Sequence, residues 1–165
     1  MVLDDLDRLN FRACVTGPHG SGNTTFLEHL AEKLVQQGYL ITALTLNLEQ
    51  PMLSSEDKKA LIDLAKNEIV LVDGAELLSI HQWQALRWRC RKAKGLVITM
   101  HRKGRFKTLI RCSTSVPLLQ TLINRLAPDE NIPADKVEGL FHRHKGNLRN
   151  ALRELYDMHS NPQMH

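Results

Sequence analysis

Five short apolar runs alternate along the chain with stretches of helical periodicity. Residues 11–16, 39–46, 68–73, 95–100 and 108–112 are rich in β-formers and read as strands. The run Ile69-Val70-Leu71-Val72 before Asp73 and the run GLVITM from Gly95 to Met100 are apolar almost without interruption, as expected of parallel strands covered on both faces. Between strands, Thr24 to Gln37 places Phe26, Leu27, Leu30, Leu34 and Val35 on one helical face, and Gly38 closes it as a C-terminal cap. Ser54 or Ser55 caps a helix predicted to reach Lys66, with Leu61, Ile62, Leu64 and Ala65 inside; Ile80 to Ala93 is another. Residues 1–10 are a polar lead-in with room for one helical turn. After the last strand come three short helices, Ser115 to Leu126, Ala134 to His144 and Asn147 to Met158, with Pro117 in a first turn, Pro128 and Pro133 around a polar linker, and Gly146 closing the middle helix. The pattern predicts an α/β chain: a parallel five-stranded sheet flanked by helices over residues 1–113, a small helical segment over 114–159, and a tail, 160–165, expected to fray.

Composition narrows this picture only a little. At 165 residues, 42% hydrophobic and 24% charged, the chain has enough apolar matter for a sizeable core. No apolar run approaches membrane-spanning length, and the acidic start Met1-Val2-Leu3-Asp4-Asp5 lacks a signal-peptide pattern. Cys14, Cys90 and Cys112 have no metal-binding spacing and read as buried thiols, two in strands and one in a helix, of a protein in the reducing cytoplasm. The close pair His142 and His144 would face different sides of a helix, so no chelate is expected there. A net charge of +4 permits nucleic-acid contact without demanding it.

Between the first strand and the first long helix lies Gly17-Pro18-His19-Gly20-Ser21-Gly22-Asn23-Thr24. It fits the phosphate-binding loop G-x-x-x-x-G-K-[ST] at every defined position but one, in the strand–loop–helix context that such a loop requires. Glycines at 17, 20 and 22 allow a tight turn that presents successive N–H groups to phosphate oxygens, at the positive end of the following helix. Thr24 is placed to put its hydroxyl on a magnesium ion, and Thr25 continues the cradle. The exception is Asn23, which stands where the motif carries its lysine. An amide donates hydrogen bonds but brings no charge to the β- and γ-phosphates, so weakened affinity, weakened hydrolysis or both are expected.

Asp73 ends the third apolar run and so stands at the C-terminal edge of a central strand, as in a Walker B motif. There it is positioned to hold magnesium opposite Thr24. Glu76 follows three residues later, beyond the small Gly74 and Ala75. It reads either as the carboxylate that orients an attacking water or as an ordinary first-turn helix acid favoured by the dipole. At the tip of the fourth strand, Thr99 and His101 would sit beside Asp73 and sense the γ-phosphate. Two basic stretches remain. Arg87 to Lys94 is either an amphipathic helix with packed tryptophans and solvated arginines, or a basic face for nucleic acid or an acidic partner. Arg102 to Lys107 reads as an exposed loop, either solvated or offering an arginine to a neighbouring subunit's nucleotide or to DNA.

The order of these elements resembles the P-loop ATPases that carry an additional central strand. Lys145-Gly146-Asn147-Leu148-Arg149-Asn150-Ala151-Leu152 is similar to the lid segment of AAA-type ATPases of the clamp-loader and initiator kind. The resemblance implies that the helices from about 114 onward form a lid and that nucleotide sits between it and the core. It further implies that Arg149 reaches the phosphates as sensor 2 and that Thr99 or His101 is sensor 1. It implies ATP or ADP with Mg2+ rather than a guanine nucleotide, and no N-K-x-D motif reads guanine. Two departures bear on catalysis: Asn23 replaces the lysine, and Gly74 stands where many such enzymes carry a catalytic glutamate. The reading that follows is an ATP-binding switch of conformation or assembly, with self-association, a protein partner or nucleic acid downstream. Beside it stand a non-hydrolysing nucleotide-binding module and a nucleoside or nucleotide kinase.

Overall fold

All five expected strands form in the computed structural model, which describes residues 2–102, 104–128 and 130–160. They are β1 (Arg12–Thr16), β2 (Leu40–Thr45), β3 (Glu68–Asp73), β4 (Gly95–Met100) and β5 (Thr108–Arg111). Every pairing is parallel, in the order β2-β3-β4-β1-β5. The fourth strand in sequence is thus inserted between the first and the third, which is the additional central strand that the order of elements implied. Side chains of both parities are buried: Val70 and Val72 are 0% exposed, and their opposite-face neighbours Ile69 and Leu71 are 0% and 1%. A strand covered on both sides has no polar alternation, which is why these runs read as continuous. On one face Cys14, Val70, Val72 and Ile98 share a core with Trp83 and Leu86. The edge strand β2 is less protected, and Leu40 is largely exposed.

The helices are α1 (Val2–Arg8), α2 (Asn23–Gln36), α3 (Ser55–Ala60), α4 (Ile80–Arg89), α5 (Val116–Leu126), α6 (Ala134–Arg143) and α7 (Leu148–Ser160). Their starts follow from capping chemistry. The Ser54 hydroxyl accepts from Asp57 N and that of Ser79 from Gln82 N, each reciprocated as a capping box. Two helices are shorter than expected. α3 stops at Ala60 rather than Lys66: beyond it Leu61 is buried and Leu64 packs against the same core from outside the helix, while Ile62 remains in solvent. α4 ends at Arg89 and tightens into a 3₁₀ turn over Cys90–Lys92. Cys112 lies just past the end of β5 and is only half-buried, unlike Cys14 and Cys90.

The chain divides into two compact units. One holds the residues up to Gly17 together with Gly22–Arg111, hence the whole sheet; the other joins Pro18–Ser21 to the chain from Cys112 onward. The second unit has its own core, built by Leu119, Ile123, Val137, Leu140, Leu148 and Ala151 from three helices. Within it Gly146 adopts φ +79°, and the Asn147 side chain accepts from Asn150 N at 3.1 Å, capping α7. The tail expected to fray lies, from residue 161, outside the described residues. Among the described residues no helix is long and apolar enough to cross a membrane.

Candidate functional site

In a parallel sheet all strand C-termini emerge at one edge, and this edge collects the residues singled out above. Thr16 of β1 is level with Met100 of β4, and Val72 of β3 with Ile98 of β4. One residue further along, therefore, Asp73 meets Thr99. Its Oδ1 accepts from the Thr99 hydroxyl at 2.5 Å, and the same hydroxyl accepts from Gly74 N at 2.9 Å. The other carboxylate oxygen, Oδ2, accepts from the Thr24 hydroxyl of α2 at 2.7 Å. Three residues far apart in sequence thus form one cluster, with Thr99 only 3% exposed.

α2 begins immediately after Gly22, whose φ of +87° suits glycine, and no side chain caps the helix. A helix leaves its first N–H groups without intrahelical acceptors and presents a partial positive charge there. An uncapped start beside a glycine turn is a place for phosphate oxygens. Thr24 is half-buried; Thr25, Pro18 and His19 are exposed; Ser21 is buried and its N–H donates to Pro18 O at 3.2 Å. Gly20, at φ +72°, is required twice over: a Cβ there would lie 2.0 Å from Asn147 Oδ1 and 3.3 Å from the backbone N of Arg149. Arg149 itself occupies the first turn of α7 with an exposed side chain.

Asn23 is 8% exposed, and its Nδ2 donates to Gly17 O at 2.9 Å. The amide at the lysine position therefore braces the base of its own loop. His101 Nδ1 lies 3.0 Å from the same carbonyl oxygen, which only accepts, so that nitrogen carries the proton. The other ring nitrogen, Nε2, is 2.8 Å from Glu76 Oε1. Glu76 sits in a 3₁₀ turn over Ala75–Leu77, and its Oε2 is buried with no donor among the described residues. The link Glu76–His101–Gly17 was not legible in the sequence, because its members are separated by 25 and 84 positions and belong to no motif.

The oxygen set suits magnesium. That ion prefers one or two protein ligands plus phosphate and water over an all-protein cage. Thr24 and Asp73 offer such a pair, and no group of three or more His, Cys, Asp or Glu gathers elsewhere among the described residues.

The basic stretches divide. Arg87, Arg91, Lys92 and Lys94 are exposed and Arg89 is half-buried; Trp83 is packed but Trp88 is not, at 65% exposure. In the second stretch Arg102 and Lys107 are exposed, and Lys103 lies outside the described residues. Arg105 is not the solvated loop residue expected. Its Nη2 donates to Leu78 O and its guanidinium lies 4.9 Å from the Trp83 ring centre. Burial lowers its pKa, against a smaller opposing pull from Glu76.

No protein-family model matches the sequence, and no curated protein does. Solved structures do. RuvB of Thermotoga maritima, a Holliday junction branch migration motor, superposes with a TM-score of 0.63 at 19% identity, over 92% of this chain and 57% of that one. AMPPCP-bound DnaA from Aquifex aeolicus gives 0.63 at 11% identity, over 97% and 60%. A replication initiator DnaA bound to AMPPCP and single-stranded DNA gives 0.63 at 11%, over 95% and 58%. The chain spans about three fifths of the length of these proteins. At such low identity what is shared is the fold: a parallel five-stranded sheet flanked by helices, the P-loop NTPase fold of RuvB and DnaA.

Proposed function

We propose that this chain is an ATP-binding module that works as a nucleotide-dependent switch of conformation or assembly, with hydrolysis impaired by Asn23. The observation that carries the reading is the Thr24–Asp73–Thr99 cluster at the strand tips, directly beside an uncapped helix start. In this reading Gly17 to Thr25 hold the phosphates through backbone N–H groups. Thr24 and Asp73 hold magnesium, which, when bound, offsets phosphate charge. Thr99 fixes the rotamer of Asp73 and ties it to the backbone at Gly74. Glu76, oriented by His101, accepts a proton or positions water with its unpaired oxygen. Arg149 reports nucleotide state; this role rests on the GNLR resemblance. A reducing cytoplasmic setting goes with it and is supported by the three free thiols.

A second reading, a module that holds nucleotide without turnover, is favoured by one specific observation: the Asn23 amide is spent on Gly17 O. Calorimetric titration of ADP and ATP, with and without magnesium, tests the site itself. Magnesium is expected to tighten ATP binding in the unmodified chain, and Thr24→Ala to lose about fivefold of that gain, the worth of roughly one hydrogen bond. Equal binding with and without the metal would sink the assignment of Thr24 and Asp73. Nucleotide-dependent sedimentation tests the switch. Phosphorylated product from a nucleoside panel would point to a kinase instead.

A further inference from the structure

The outward face of α4 is independent of the nucleotide reading. From Ile80 to Lys94 the chain carries five arginines and lysines and no carboxylate. Trp83 and Leu86 take the inward side, at 4% and 0% exposure. Positions 84, 87, 88 and 91 stand at i, i+3, i+4 and i+7 and so share one strip of surface. Trp88 stands in the middle of that strip, 65% exposed. The Arg91 guanidinium lies 4.0 Å from its ring centre, and Arg91 Nη1 donates to Trp88 O at 3.3 Å. Arg87 Nη1 donates to Gln84 Oε1 at 3.4 Å. A large amphipathic ring is thus held in water among cations, with no acidic neighbour in the segment to neutralise them.

We infer that this face binds single-stranded nucleic acid, with a base stacked on the Trp88–Arg91 platform and phosphates paired with Arg87 and Lys92. Charge complementarity selects a polyanion, and the exposed π-face selects among polyanions. A base unpaired in a single strand offers a ring to stack, a duplex hides its rings, and a carboxylate side chain has none. An acidic protein would use the arginines and leave Trp88 idle.

The two tryptophans supply the test, since one is buried and one exposed. The whole chain is titrated with a short oligothymidylate while tryptophan emission is followed. The solvent-exposed Trp88 component should be quenched, the Trp83 component should not, and affinity should fall steeply with salt. Trp88→Ala should weaken binding about tenfold and Trp88→Phe should retain most of it. The emission of Trp83 verifies that each variant is folded. Unchanged affinity in Trp88→Ala would overturn the proposal. So would a duplex of equal length bound as tightly, or polyglutamate quenching Trp88 as well. A shift of Trp88 emission with protein concentration alone would assign the face to a second copy of the chain and equally overturn it.

Discussion

Asn23→Lys is expected to bind magnesium–ATP about ten- to a hundredfold more tightly than the unmodified chain. A hydrogen bond from a charged group contributes about 1.5–3 kcal/mol, and each 1.4 kcal/mol is roughly tenfold. The gain has a cost. Asn23 Nδ2 currently donates to Gly17 O, and its removal should cost about 0.5–1.5 kcal/mol of stability. His101 still serves that carbonyl, so the loop base keeps one of its two donors. The ligand-free variant should therefore melt a few degrees lower, roughly 2–4 °C per kcal/mol for a chain of this size, while the ATP-loaded variant melts higher. Calorimetry and thermal melts with and without ATP read both signs. Unchanged affinity would remove Asn23 from the phosphate site. Phosphate release that appears only in the lysine variant would identify an ATPase silenced at one position, and its absence would favour the non-hydrolysing module.

Gly74→Glu, which places a glutamate at the usual catalytic position, should not bring hydrolysis and should destabilise the chain by about 2–5 kcal/mol, adding left-handed strain to overpacking. Gly74 adopts φ +79°, and a Cβ there would lie 2.5 Å from the carbonyl oxygen of Leu46. Leu46 cannot yield easily, because its own N–H donates to Asp73 O at 2.9 Å. A side chain at 74 thus pushes on the backbone that aims Asp73. The melting temperature should fall by roughly 5–15 °C. Gly74→Ala should show most of the loss, since the first carbon makes the clash. Gly139→Ala, where a Cβ meets nothing within 4 Å, should show none. A Gly74→Glu variant that melts normally, or that releases phosphate faster, would refute this account.

These two positions also mark how far the sequence was legible. The strands of the sheet interior were readable because burial on both faces leaves continuous apolar runs. The pair Thr24 and Asp73 was readable because motif spacing encodes a strand–loop–helix geometry. What lay beyond reach were contacts made by the fold alone. No spacing rule says that the Asn23 amide turns to Gly17 O, or that His101 links that carbonyl to Glu76. Gly74 was visible as a missing glutamate but not as a left-handed turn under a carbonyl. Arg105 looked like a loop cation because the packing of Trp83 against it joins residues 22 positions apart. The sequence extends α3 past Ala60 because Leu61, Ile62, Leu64 and Ala65 suggest a helical face, whereas Leu61 and Leu64 reach the core from outside the helix and Ile62 is exposed.

The buried thiols carry a practical consequence. Burial pushes Cys14 to about 11 and Cys90 to about 12, so in the folded state neither presents a reactive thiolate at neutral pH. Alkylation must wait until the sheet opens, and the pace of labelling becomes a clock for that event. Any molecule that binds only the closed form slows this clock in proportion to its occupancy. The chain therefore times its own ligands, from within the strand that leads into the glycine loop.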